Sequence, residues 1–290
     1  MPNLFSTIWN GYNNTLVQGA VQNVSAGLSA VAAIIQAVLG LYVLITGGMM
    51  LFGGMSFDVG IRRVVRALLV AAVLTPANYN QWVVQTFTQT LPDWIAQSVG
   101  QGGSNAGGAQ QFDTLRQSVI KMVADIKTQA TGLSYIAARI EIALAGMFCE
   151  LALLLCFVIW FLSRAAMALV VCIGPFVIPF YLFDATKGVP ERWIGKLIDY
   201  AILILLVLVV LQIVQTQDTS LIGQAAAPTS GNVDEMVDIL WNVALSFGVG
   251  AFLLIMLPAI AATIGGGVGF STGPIVGLLF RVPGNLLGKR

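Results

Sequence analysis

One carboxylate, Glu150, falls squarely inside an apolar run of this sequence, and Arg164 follows it fourteen residues later. That separation is about 21 Å along a helix, so the two cannot pair within it. An ionisable side chain at membrane depth is costly and faces protein or water. Glu150 is therefore expected to meet a basic group on another span, line a water path or hold a proton, with an interhelical polar contact as the plain structural alternative. Arg164 reads as an interface anchor whose charged head snorkels to the membrane surface. The 290 residues include no histidine, which removes the commonest general base and metal ligand. No aspartate pair sits inside two spans, so aspartyl and Ser/His schemes both fail. Cys149, Cys156 and Cys172 lie in apolar sequence without Cys-x-x-Cys spacing and read as buried free thiols. The glycine-rich stretch 100–108 is followed by no Gly-Lys-Ser/Thr, so it is a flexible linker and not a phosphate cradle. The expectation is a chain with no catalytic residue, no cofactor and no metal.

The elements that must position these residues are membrane helices. The chain is 57% hydrophobic and 9% charged, where a soluble protein carries roughly 25% charge. Its net charge of +1 gives no bulk attraction to nucleic acid. The first 57 residues carry no charged side chain; Asp58, Arg62, Arg63 and Arg66 then follow an apolar run over 28–52. Such a run is long enough to cross the hydrocarbon, and the arginines behind it are held on the cytoplasmic side. The N-terminus then lies outside the cytoplasm, and the first span serves as its own export signal. Residues 1–27 place Leu4, Phe5, Ile8, Trp9, Tyr12 and Leu16 at helical spacing, predicting a short amphipathic helix in the outer face. Gly40, Gly47 and Gly54 recur every seven residues and predict a helix-packing face. Spans are expected over 28–52, 64–84, 142–162, 198–214 and 243–264. Residues 165–183 are apolar too, but Gly174, Pro175 and Pro179 predict a broken or re-entrant element there. Trp82, Trp94, Trp160, Trp193 and Trp241 read as interface belt residues.

The fold class expected is all-α and polytopic: about five transmembrane helices, one broken segment and an extramembrane helical loop. Its organisation is a periplasmic segment 1–27, a hairpin 28–84, a central periplasmic loop 85–141, span three with the broken segment over 142–183, a cytoplasmic connection and two spans over 184–264, and a cytoplasmic tail 265–290. Five spans leave Arg116, Lys121, Lys127 and Arg139 outside and the other ten of the 14 basic residues inside, which suits the positive-inside rule better than six. In the central loop Phe112, Leu115, Val119, Met122, Ile126, Ala130 and Leu133 alternate by three and four, the seam of an amphipathic helix that pairs with a copy of itself or a partner. Asp113, Lys121, Asp125 and Lys127 make its wet face. Asn232 with Glu235 three residues on marks the start of a later helix.

The run Gly174-Pro175-Phe-Val-Ile-Pro-Phe-Tyr-Leu-Phe183-Asp-Ala-Thr186-Lys187-Gly-Val-Pro-Glu-Arg-Trp193 resembles the polytopic inner-membrane subunit of bacterial type IV secretion and conjugation systems, the VirB-system and TrbL-like family. Gly174, Pro175, Thr186, Lys187 and Trp193 are the matching positions, and the order of segments agrees over almost the whole chain. The resemblance implies a non-enzymatic, homo-oligomeric platform in the bacterial inner membrane, supporting pilus assembly and the transfer of DNA or protein. It implies a minor pilin docked on the central loop through Phe112, Leu115, Val119, Met122 and Ile126. Pilin subunits, other inner-membrane secretion subunits and ATPases that hydrolyse the nucleotide are the further partners. A secondary transporter for a small solute or ion is the alternative, with one broken segment found and no second copy of it.

Overall fold

A computed structural model describes residues 3–15, 19–98, 107–130, 135–226 and 233–264. Most of the 100–108 linker, Leu133, the Asn232 cap and the tail 265–290 lie outside the described residues. Among the described residues every element is helical. The order is α1 (Leu4–Asn13), α2 (Gly19–Leu51), α3 (Phe57–Val73), α4 (Pro76–Asn78), a π-helical segment (Tyr79–Thr90), α5 (Leu91–Ser98), α6 (Gly107–Gln129), α7 (Ile136–Val177), a 3-10 turn (Ile178–Leu182), α8 (Gly188–Ala226) and α9 (Val233–Ile264).

Helices α7, α8 and α9 form the centre, each packed on the other two. Val207, Val243, Ala244, Phe247 and Leu254 are buried in this centre. Their outward faces stay apolar, with Leu151, Leu162, Val249 and Met256 exposed, as surface against lipid or other apolar partners must be. Among the described residues four helical stretches are long and apolar enough to cross a membrane: Ala33–Leu51, Ile136–Leu182, Gly188–Leu221 and Val233–Ile264. The hairpin of α2 and α3 leans on this bundle through few contacts. The stretch of α2 long enough to cross is only 6% buried.

Two predicted elements differ. The break expected over 165–183 does not fall at Gly174 and Pro175: α7 runs 42 residues through both to Val177, about 63 Å, and only there gives way to the 3-10 turn. A further break falls in the second predicted span. There α3 stops at Val73, Thr75 is extended (ψ 131°) and Pro76 opens the next turn. A residue before proline is driven out of the helical region, and proline at the first helical position has no amide to lose. The path then continues as a π helix of 12 residues, a form rare outside functional or strained sites.

Candidate functional site

The Gly174-Pro175 pair explains itself once its neighbours are placed. Pro175 has no N–H, so the carbonyl of Val171, four residues back, loses its helical donor. The Tyr79 hydroxyl, from the first turn of the π segment, donates to that carbonyl, and Tyr79 is fully buried. One residue earlier the Trp193 indole N–H, from α8, donates to the Val170 carbonyl at 2.8 Å. Gly174 is what admits both rings: a Cβ there would strike the Tyr79 hydroxyl and the Trp193 ring. The bond that Pro175 removes is thus replaced by Tyr79, Trp193 adds a second donor at the neighbouring carbonyl, and the helix goes straight on. Trp193 is a hydrogen-bonded clamp rather than a belt residue.

Below this node the chain turns. Thr186 closes the 3-10 turn, its hydroxyl donating to the Phe180 carbonyl at 2.8 Å. Asp184 takes Arg66 at 2.8 Å and Arg63 at 3.7 Å, and Arg66 lies 5.5 Å from the Tyr181 ring centroid. The arginines that open α3 are therefore latched to the elbow between α7 and α8. The Arg66 hydrogen bond and charge hold the Asp184 carboxyl below its ordinary range. Lys187 points outward, exposed.

The upper half of α7 carries a second assembly. Phe5, Trp9, Phe112, Phe157 and Trp160 stack with centroids 4.7–6.1 Å apart, the spacing aromatic pairs prefer. Asn3 gives α1 no side-chain cap. Asp113 supplies one from α6: the amides of Phe5 and Ser6 both donate to its carboxylate at 2.9 Å. Asp113 is accordingly buried, not on the wet face of α6, and α1 is packed into the protein rather than resting on lipid. Arg164 does not snorkel. It is 8% exposed, with its guanidinium 5.8 Å from the ring centroids of both Trp9 and Trp160. Trp160 is core, 1% exposed, whereas Trp82 and Trp94 face outward. Glu150 meets Arg116 of α6 at 2.8 Å, a helix-to-helix contact with the loop helix and not with another span.

The seam residues Phe112, Leu115, Val119, Met122 and Ile126 are all buried against the chain's own helices. The face of α6 predicted to receive a partner is already filled in this chain. Gly40 and Gly47 do the reverse: a Cβ at either would meet nothing within 4 Å. Gly54 is not on α2 at all but in the turn after it, following Gly53 with φ +72°. Tyr79, Asp113 and Asp199 escape sequence reasoning. Asp199 opens the apolar part of α8, is 6% exposed and accepts from Lys196 at 2.9 Å. Cys149 and Cys156 are buried, Cys172 is half-buried, and none of the three is in a disulfide. Among the described residues no group of three His, Cys, Asp or Glu side chains could hold a metal ion.

A family profile described as TrbL/VirB6 plasmid conjugal transfer protein matches residues 39–257. The chain is 30% identical to the protein VirB6 of Agrobacterium fabrum (strain C58), over 82% of this chain and 81% of that one. It is 27% identical to VirB6 of Agrobacterium tumefaciens (strain 15955), over 92% and 91%. It is likewise 27% identical to the type IV secretion system protein VirB6 of Bartonella quintana (strain Toulouse), over 88% and 75%.

Proposed function

The chain belongs to the TrbL/VirB6 plasmid conjugal transfer family, and from that premise we propose how it serves as a membrane component of a type IV secretion system. It is a rigid inner-membrane platform on which copies of itself, pilin and minor pilin, and the other membrane subunits assemble while DNA or protein is moved across the envelope. Partner ATPases supply the energy, and this subunit does no chemistry of its own. Solute transport by the chain alone is not favoured, because α7 runs on through Pro175 with the freed Val171 carbonyl taken by Tyr79 and offers there no unwound midplane site of the kind transporters use.

Five passes follow in our reading: α2, then α3 with the π segment, then α7, α8 and α9, with the N-terminus periplasmic and the C-terminus cytoplasmic. The Arg63–Arg66–Asp184 latch marks the cytoplasmic boundary. Arg164 stands twenty residues before Asp184: thirteen along α7 to Val177, about 20 Å, and then the 3-10 turn, about 10 Å, together roughly one hydrocarbon thickness. This moves Arg164 from the cytoplasmic side to the periplasmic boundary, beside Trp9. It also makes residues 165–183 a true crossing. The part of α7 above Arg164, with α6 and α1, then rises out of the bilayer.

One observation carries the assembly reading: apolar side chains of that upper part of α7, Leu144, Met147, Leu151 and Leu155, are exposed where our placement puts no lipid against them. Exposed apolar area of this kind is covered by another protein surface. Leu151→Asp should leave the chain folded in detergent, dissolve its oligomer on native gels and abolish transfer in a complementation assay. An intact oligomer with normal transfer would refute the platform reading.

A further inference from the structure

A small cavity of about 10 Å³ lies where α1, the π segment, α5, α7 and α8 meet, lined among others by Trp9, Asn13, Thr88, Pro92, Arg164 and Ala168. That is about the least volume that holds one water. It is too little for a phosphate or a carboxylate ligand. Arg164 brings a full charge to this space, and the two indoles beside it shield its faces without accepting its N–H groups. Its Nε is buried and has no hydrogen-bond partner. Asp93 follows the lining residue Pro92 in sequence, and its buried Oδ1 is also without a partner. The two side chains make no direct ion pair within 4.0 Å. Burial pushes the Asp93 carboxyl up, and the Arg164 charge opposes that shift. Buried charges persist where they are paired and hydrogen-bonded. Here two buried opposite charges close enough to feel each other carry idle polar atoms, and one of the two side chains lines a space that fits one molecule.

We propose that one ordered water occupies this cavity and joins the Arg164 guanidinium to the Asp93 carboxylate, a bridged ion pair that pins α5 and the N-terminal helix α1 to α7. The Arg164 Nε–H donates to the water, and the water donates to Asp93 Oδ1. The Thr88 hydroxyl already spends its proton on the Val84 carbonyl at 2.7 Å, so its oxygen is free to accept the second water proton. Those three partners lie within the two to four a buried water requires. The bridge is independent of the transfer role and rests only on the packing of this chain.

Two substitutions break the bridge by different routes. Asp93→Asn removes the charge, and Ala168→Val fills the cavity while leaving both charges in place. Hydrogen exchange on the full chain in micelles should show the α1 amides exchanging about tenfold faster or more in each. The double variant should exchange no faster than the faster single, because both sever one bridge. A high-resolution map of the unsubstituted protein should show density between the two side chains. Additive effects, or an Ala168→Val chain whose α1 exchanges normally while Asp93→Asn loosens it, would overturn the proposal. So would a map in which the guanidinium touches the carboxylate directly.

Discussion

Tyr79→Phe isolates the compensation of proline in α7. The substitution removes one hydroxyl from a fully buried ring and leaves the Val171 carbonyl with neither its helical donor nor its replacement. A buried acceptor left unsatisfied costs about 1–3 kcal/mol, and no water reaches it at this depth. The decisive comparison is made in a Pro175→Ala background. Alanine restores the N–H at position 175, which can then donate to Val171 as in any helix. In that background Tyr79→Phe should cost well under about 1 kcal/mol, since the carbonyl has its ordinary partner back. The assay is reversible denaturation in mixed micelles for the four chains of the cycle, read by near-ultraviolet signal and checked against transfer activity. Coupling of about 1–2 kcal/mol between the two positions is expected. Equal losses from Tyr79→Phe with proline or with alanine at 175 would show that the hydroxyl answers to something other than the proline.

Gly174→Ala should destabilise more than Tyr79→Phe, because its methyl displaces both Tyr79 and Trp193; a variant as stable as the parent would mean that the two rings yield easily. Charge placed at Leu115 and Met122 should remove folded protein altogether, by about 4 kcal/mol or more, since both face the chain's own core; normal protein level with lost pili would return the seam to a docking role. Glu150→Gln breaks a half-exposed pair with Arg116 worth at most about 1 kcal/mol. Protein level should hold, and the exchanged pair Arg116→Glu with Glu150→Arg should transfer normally if the contact is structural; failed transfer by the exchanged pair would assign Glu150 to a path. The latch at Asp184 has a defined pH window. Its carboxyl is held below the ordinary value, so its stabilisation is complete above about pH 4 and is lost only as pH falls through the lower folded value. The distance between spin labels attached at neutral pH to cysteines replacing Tyr42 and Phe183, whose rings lie 5.8 Å apart, should be unchanged from pH 8 to about pH 5 and widen only below about pH 4; a widening near neutrality would refute the latch.

Composition and charge placement were enough to set the class. A chain with 9% charge and no histidine has little choice but helices in lipid, and the 174–193 run carried the family. The seam on α6 was legible as well, since three-and-four spacing fixes one helix face regardless of what covers it. What covers it was not legible: the same periodicity serves an outside partner or the chain's own bundle, and only the packing of α6 on α1, α7, α8 and α9 decides. Proline fooled the reading for a similar reason. Pro175 and Pro76 look alike in sequence, and both freed carbonyls find a donor: that of Ala72 takes Thr75 and Asn78 from its own turn, where the helix breaks, and that of Val171 takes Tyr79 from another element, where the helix runs on. Tyr79 is 92 residues from Val171, a separation no local pattern records. Arg164 was misplaced because charge alone says interface, while its burial beneath Trp9 and Trp160 depends on an N-terminal helix that returns from far along the chain. Local spacing determines which face a side chain occupies, and tertiary contact determines what that face meets.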